Sequence, residues 1–85
     1  MQGLAREGAP YNILTNGVRL GFIASGIHER WHGKTEKELQ DRADLVPLKR
    51  GGDPDEVAAL MIYLLSSYGS FITGQMIPLT GGDWL

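Results

Sequence analysis

The run Val57–Leu65, VAALMIYLL, in which every side chain is apolar or aromatic, constrains the fold of this chain more than any other feature. Asp53 is a typical N-cap residue, Pro54 suits the first helical position, and Glu56 completes a capping box. These signals predict a helix from Pro54 to about Ser67. Because its middle turns carry no charged side chain, the helix has no face suited to water. We therefore expect it to be covered on two sides.

The chain is short for a self-sufficient domain. It has 85 residues, and a domain of that size buries only about 60–65% of the surface that its unfolded chain exposes. It contains no cysteine, which excludes disulfide bonds and thiolate metal sites. We expect a small core and self-association.

The charge distribution argues against nucleic acid and anionic membranes as partners. Eight Lys and Arg stand against ten Asp and Glu, for a formal charge of -2, and no basic cluster is present. No apolar run approaches the roughly 20 residues of a membrane-spanning helix, and the opening MQGLAREGAP lacks the apolar stretch of a signal peptide. We expect a cytoplasmic protein that binds a small molecule or another protein.

Two further helices are predicted from their end signals. Residues 1–8 indicate a short helix that closes at Gly8. Thr35 and Glu38 have the spacing of a capping box, which opens a helix that runs to about Asp44. This second helix is mostly polar, so we expect it to lie on the surface as a cover.

Residues that favour strands occupy two segments. One is YNILTNGVRLGFI, residues 11–23, and the other is Gln75–Leu79. By local rules alone, Asn16-Gly17 predicts a two-residue hairpin turn. The order strand, helices, strand indicates instead a parallel crossover, the repeating unit of open α/β sheets.

The stretch HERWH fits the H-E-x-x-H pattern of zinc metallopeptidases. In that pattern His28 and His32 would bind zinc from one helix face, and Glu29 would deprotonate a zinc-bound water. Gly26 and Gly33 bracket the stretch closely, which disfavours the rigid helix that this chemistry needs. We expect no metal site and keep the zinc peptidase as an alternative.

Four pieces of sequence occur in the order found in one known family. They are Asn16, Val18 and Gly21; then Ile23 and Ser25; then PLKRGGDPDEVA, residues 47–58; and SSYGSFITGQMIPLTGG, residues 66–82. Each piece alone is weak, but the four together resemble the C-terminal portion of the short-chain dehydrogenases/reductases. The resemblance covers nearly the whole chain, and it implies that Asn16-Gly17 lies within or at the end of one parallel strand and not in a hairpin turn.

The resemblance implies an α/β fold: the C-terminal part of a Rossmann-like doubly wound parallel sheet, with two strands and crossover helices, and without its N-terminal dinucleotide-binding half. It implies one partial unit over residues 1–85. Residues 1–25 would give a helix end, a strand and the cofactor-side turn, residues 26–46 the substrate loop or lid, and residues 47–85 the assembly helix and last strand. NAD or NADP would bind, in the intact enzyme, at the turn formed by Gly21, Phe22, Ile23 and Ser25.

The family's proton-transfer residues have no counterpart in these 85 residues. Its glycine-rich phosphate loop, catalytic serine and Tyr-x-x-x-Lys pair would all precede residue 1, and Tyr11, Tyr63 and Tyr68 lack a lysine four residues later. The resemblance thus implies no catalytic residue here and no activity of the chain alone. Leu20 stands where the family usually has proline, and Thr80 where it usually has aspartate.

The resemblance also suggests roles for the loop and for the apolar helix. His28 and Trp31 fall in the family's substrate loop and are candidates to contact a small-molecule substrate. Ala58, Ile62 and Leu65 are candidates for the interface of a homo-oligomer, since the family's subunits meet through this helix and the last strand across a two-fold axis. The chain is expected to be the C-terminal segment of an NAD(P)-dependent short-chain oxidoreductase; a non-catalytic interaction module and the zinc peptidase are the alternatives.

Overall fold

The computed structural model describes residues 1–26 and 33–83. Two short parallel strands have one helix before the first strand and two helices between them. The helices are α1 (Gln2–Gly8), α2 (Glu36–Asp44) and α3 (Pro54–Leu65), the strands are β1 (Gly17–Leu20) and β2 (Met76–Leu79), and single 3-10 turns occupy Ala9–Tyr11 and Ser67–Gly69. The predicted α/β class with a small parallel sheet is confirmed.

The strands β1 and β2 pair in parallel, with Gly17 opposite Met76 and Leu20 opposite Leu79. The hairpin that Asn16-Gly17 predicts by local rules is therefore wrong. The Asn16 side chain instead joins the two chain segments that enter the sheet: its amide donates to the Ile72 carbonyl at 2.9 Å, and its oxygen accepts from the Gln75 N–H at 3.1 Å. Tertiary pairing overrides the turn preference of this dipeptide.

The capping signals place the helix starts correctly. Thr35 accepts a hydrogen bond from the Glu38 N–H at 3.2 Å and begins α2. At α3, the Glu56 side chain accepts from the Asp53 N–H at 2.9 Å in a complete capping box. The α3 helix ends at Leu65, two residues before the predicted end, because the Ser66 backbone is extended and its hydroxyl accepts from the Tyr68 N–H.

The segment after α1 continues in a helical turn before it reaches β1. The helix ends at Gly8 as expected, but the backbone continues through a 3-10 turn, and the left-handed residue is Asn12, with φ of 58°. Gly8 serves packing instead, since a Cβ there would lie 2.8 Å from the Ile13 carbonyl oxygen.

The core is very small, and most of the apolar surface is exposed. Its fully buried hydrophobic residues in the described part of the chain are Ala5, Ala43 and Val46. The radius of gyration is 15.9 Å, against about 12 Å for a compact domain of this length. The accessible surface is 6463 Å², about 1,500 Å² more than a monomeric protein of this mass presents. In residues 1–26 and 33–83 no helix has the length and apolar content needed to cross a membrane.

We predict that Asn16→Ala lowers the free energy of unfolding by about 1–3 kcal/mol, because it leaves a carbonyl and an N–H group between the strands without their partner. Urea denaturation measures the change. Gln40→Ala, which removes an exposed hydrogen bond to Asp44 on α2, is the control and should cost less than about 0.5 kcal/mol. Equal losses in the two variants would contradict the role given to Asn16.

Candidate functional site

The carboxyl end of β1 is the edge at which ligands bind in open α/β sheets. Here the Gly21 N–H donates to the Leu79 carbonyl at 3.0 Å, which continues the pairing with β2 by one residue. A Cβ at Gly21 would lie 2.9 Å from the Thr80 Cα. The close approach of the two chain segments at this point thus explains the glycine at position 21, an explanation that the sequence alone did not indicate.

Beyond Gly21 the chain turns to a new neighbour. The Gly52 N–H donates to the Phe22 carbonyl and the Ala24 N–H donates to the Gly52 carbonyl, both at 2.8 Å, in a parallel bridge centred on Ile23. Successive N–H groups of an extended segment point to opposite sides. The Ile23 N–H therefore points away from Gly52 and offers a backbone donor on the other side of the turn.

Ser25 ends this segment in an exposed position. Its N–H donates to the Ile23 carbonyl at 3.0 Å, which is the hydrogen bond of a γ-turn. Gly26 follows with φ of 81°, a conformation that glycine adopts without strain. The structure therefore brings together the four residues predicted for the cofactor side, Gly21, Phe22, Ile23 and Ser25, in one turn, which we call the β1 turn (Gly21–Ser25).

A hollow of about 760 Å³ lies between the β1 turn and helix α2, and we call it the α2 cleft. Its volume is within the range of small-molecule sites. Phe22 and Ala24 form one wall, Leu39 and Ala43 of α2 form the opposite wall, and the segment Lys49–Gly51 forms a third. An apolar floor with charged groups at its rim could hold a small molecule that has a polar end.

Arg50, in the third wall of the α2 cleft, forms a two-pronged ion pair with Glu56 of α3. The two N–O distances are 2.8 and 3.2 Å. This hydrogen bond from Arg50, together with one from the Asp53 N–H, lowers the pKa of the Glu56 carboxyl to about 2. Glu56 is thus engaged in both the capping box and the ion pair. Because Arg50 is bound to Glu56, neither of these two side chains is free to move into the α2 cleft.

A second ion pair, Arg42 to Asp83, was missed by reasoning from the sequence. The two residues are 41 positions apart, and neither belongs to a local motif. Only the observation that an acidic residue follows the glycine pair at residues 81–82 could have drawn attention to Asp83.

The predicted substrate contacts His28 and Trp31 lie outside the described residues, as does the whole HERWH stretch. Within residues 1–26 and 33–83, no three His, Asp or Glu side chains form a cluster that could hold a metal ion. The predicted substrate contacts therefore stay predictions.

The three residues predicted for an oligomer interface are exposed on α3, and Leu65 also borders the hollow between α3 and β1. Ile62 is 67% exposed and Leu65 is 86% exposed. The other side of the helix faces the strands, where Val57 and Leu64 are half-buried beside Val18. The stacked rings of Tyr63 and Tyr68, 6.5 Å apart, extend the exposed side beyond the helix end. The residues of the exposed side, which we call the α3 surface, are Ala58, Ile62, Tyr63, Leu65 and Tyr68.

Comparison with known proteins gives a consistent result. Residues 1–83 match the model of the family described as enoyl-(acyl carrier protein) reductase. Among curated proteins, the chain is 36% identical over 81 residues to the 3-oxoacyl-[acyl-carrier-protein] reductase FabG of Aquifex aeolicus, which covers 95% of the chain and 32% of that protein. It is 42% identical over 74 residues to a probable 2,4-dienoyl-CoA reductase of Bacillus subtilis, which covers 81% of the chain and 29% of that protein.

Among solved structures, the chain is similar to the RhlG/NADP active-site complex of Pseudomonas aeruginosa. The TM-score is 0.85 at 31% sequence identity, and the match covers 99% of this chain and 34% of the other. The chain therefore spans about a third of the length of the relatives that it matches.

We predict that Glu56 contributes stability that is lost in acid. Because its pKa is about 2 in the folded chain against 4.5 in the reference state, the contribution is complete above about pH 4.5 and falls away as the pH drops toward 2. In melts over this range, Glu56→Gln should flatten the acid loss of the melting temperature. Glu36→Gln, a change of an exposed first-turn carboxylate of α2, should leave the wild-type slope; equal slopes in all three proteins would contradict the prediction.

Proposed function

The chain belongs to the short-chain dehydrogenase/reductase family, and on that basis we propose that it forms the C-terminal part of an NAD(P)-dependent oxidoreductase. In the assembled enzyme it supplies three parts. The β1 turn, within residues 1–25, flanks the nicotinamide; residues 26–46 form the substrate lid; and residues 47–85 give the assembly helix and the last strand. We place this enzyme in the cytoplasm.

The backbone of the β1 turn is the observation that carries the proposal. The Ile23 N–H points away from Gly52, and the Ser25 hydroxyl is exposed at the end of the same turn. A backbone donor and a hydroxyl at the carboxyl end of a parallel strand suit the carboxamide of a nicotinamide ring. The similarity to an NADP complex at 31% identity supports the same assignment.

NAD or NADP, when bound, supplies the hydride chemistry. This chain's own residues would bind and orient: Gly21 and Ile23 offer backbone to the ring, Ser25 bonds the carboxamide or a phosphate, and Phe22 borders the α2 cleft. We propose that this cleft takes the reacting end of a small-molecule substrate, with His28 and Trp31 among its contacts. The polarising acid and base are not among the 85 residues and belong to the preceding part of the enzyme.

Leu20 and Thr80, the two departures from the family pattern, lie at the entry to this turn. Leu20 lies opposite Leu79, and the next N–H, that of Gly21, donates to the Leu79 carbonyl, so the strand pairing continues past position 20. The Leu20 N–H itself points away from β2, because N–H groups alternate sides along the strand. A proline at position 20 would fix φ; here the pairing with β2 fixes the backbone instead. This supports keeping the nicotinamide-side role for the turn in spite of the missing proline.

We predict that the chain alone binds NAD and NADP only weakly and transfers no hydride. The sequence has no counterpart of the family's glycine-rich phosphate loop, and the helix N-terminus after such a loop normally provides much of the affinity for a pyrophosphate. Isothermal titration with each dinucleotide should give dissociation constants above about 1 mM, against the micromolar range of a complete site. Micromolar binding by the chain would contradict the proposal that these 85 residues hold only part of the cofactor site.

The α3 surface supports the proposal that the protein is a homo-oligomer. Its large apolar side chains are exposed, and the run Val57–Leu65 contains no charged residue between them. Each such side chain is worth about 1.5–3 kcal/mol when buried. The surplus of about 1,500 Å² of accessible surface over a self-sufficient monomer is larger than the roughly 800 Å² that a standard interface removes from each partner, so the chain has enough surplus surface for such a contact.

We predict that Ile62→Glu lowers the oligomeric state and the melting temperature, because it places a charge in the centre of the α3 surface. Light scattering at equal protein concentration measures the mass. Leu45→Glu is the matched control, an equally exposed leucine (74%) at the end of α2 and away from the α3 surface. A wild-type chain that is already monomeric, or an Ile62→Glu variant that keeps its mass and melting temperature, would rule out α3 as the contact.

A further inference from the structure

One side chain, Arg42 in the last turn of α2, contacts two other segments of the chain. Its Nη2 lies 2.9 Å from Oδ2 of Asp83, in the turn that follows β2. Its guanidinium carbon lies 5.4 Å from the centroid of the Phe22 ring, within the distance of a cation–π contact. Arg42 thus links the lid helix to the β1 turn and to the C-terminal turn at once.

Helix α2 has few other attachments to the rest of the chain. Within α2 only Ala43 is buried and Leu39 is half-buried, and its two further ion pairs, Lys34–Glu38 and Lys37–Asp41, join exposed residues of the same helix region. An ion pair between exposed groups on one helix does not attach that helix to anything else. In the described chain, Arg42 therefore carries the only side-chain ion pair from α2 to another segment. The Lys49 ammonium donates to the Asp44 carbonyl at 2.9 Å, but this contact joins the end of α2 to the segment that directly follows it.

The partners of Arg42 are better shielded from water than Arg42 itself. The Asp83 side chain is 12% exposed and the Arg42 side chain is 40% exposed. A carboxylate that is so far withdrawn from water depends on its charged partner, because an unpaired charge in that place is costly. The Asp83 carboxylate is therefore better shielded from solvent than either partner of the surface pairs of α2.

Phe22 transmits the position of Arg42 to the β1 turn. The Phe22 ring also packs on Gly51, where a Cβ would lie 2.9 Å from the ring atom Cε2. The Phe22 carbonyl is bonded to Gly52 in the bridge that holds Ile23. Movement of this ring must therefore change the wall of the α2 cleft and the backbone that carries the Ile23 N–H.

We infer that Arg42 is a positioning residue that couples the two walls of the α2 cleft, so that α2 cannot open without releasing Phe22 and the β1 turn. In the assembled enzyme, a lid seated on Arg42 and Asp83 would set the β1 turn in the geometry that receives the nicotinamide. The inference rests on the proposed function only in treating the α2 cleft as the substrate site.

Amide hydrogen exchange of the 85-residue chain tests the coupling. Arg42→Met keeps the aliphatic stem and removes the charge, whereas Arg42→Lys keeps the charge. In Arg42→Met, exchange should rise about three- to tenfold both in α2 and at the Ala24 and Gly52 amides, given the usual worth of one cation–π contact and one ion pair. Arg42→Lys should restore part of the protection at both places, and the amides of α3 should not change.

Two further proteins sharpen the experiment. Asp83→Asn breaks the same ion pair from the other side and should raise exchange at the same two places, so the test does not depend on one variant. Lys37→Met, on the exposed face of α2, is the control and should change neither. If Arg42→Met opens α2 alone, or matches wild type at Ala24 and Gly52, Arg42 does not couple the walls and the inference fails.

The outcome can be separated from that of the proposed function. Adding NADP to the complete enzyme tests the nicotinamide role, through protection of the β1 turn amides. Coupled exchange without an effect of NADP would leave the Arg42 inference standing and overturn the proposed cofactor role. Protection by NADP without coupled exchange would do the reverse.

Discussion

The parallel pairing of β1 with β2 is the interaction on which the rest of the structure depends. Parallel strands cannot be joined by a tight turn, so the pairing requires the long connection that holds α2 and α3. It also brings the carboxyl ends of both strands to one edge, where Gly21 meets Thr80. The Asn16 side chain sets the register at the opposite end. The candidate site is therefore a consequence of strand register.

The same pairing explains why so much apolar surface is left uncovered. Parallel sheets are normally buried on both faces, with helices on each side. Here a hollow lies between α3 and Val18 and Leu20 of β1. Leu20 is still 45% exposed, and Leu14, which lines the same hollow, is 36% exposed. A two-stranded sheet with one helix layer cannot complete such packing. This incomplete packing leaves the α3 surface exposed and the total accessible area large, and both observations favour a partner that covers them.

What the sequence predicted well is local, and what it missed depends on residues far apart. Asp53 and Glu56 place the start of α3 because a capping box needs only neighbouring residues. The Asn16-Gly17 dipeptide was misleading by local rules, because its partner strand lies some 60 residues away. The family resemblance corrected that prediction, since it carries the tertiary context. No resemblance or local rule indicated the Arg42–Asp83 pair, which exists only once β2 and α2 are placed side by side.

The turn after β2 fixes the width of the α2 cleft, although it lines neither of the cleft's two main walls. The Gly81 carbonyl accepts from the Leu48 N–H at 3.1 Å, and a Cβ at Gly81 would lie 2.8 Å from Val46. Asp83, two residues later, forms the ion pair with Arg42 of α2. The β1 turn contacts the same segment, because Gly21 lies against Thr80. Each wall is thus positioned by contact with residues 80–83, so a change in this short turn would alter the cleft without touching a ligand.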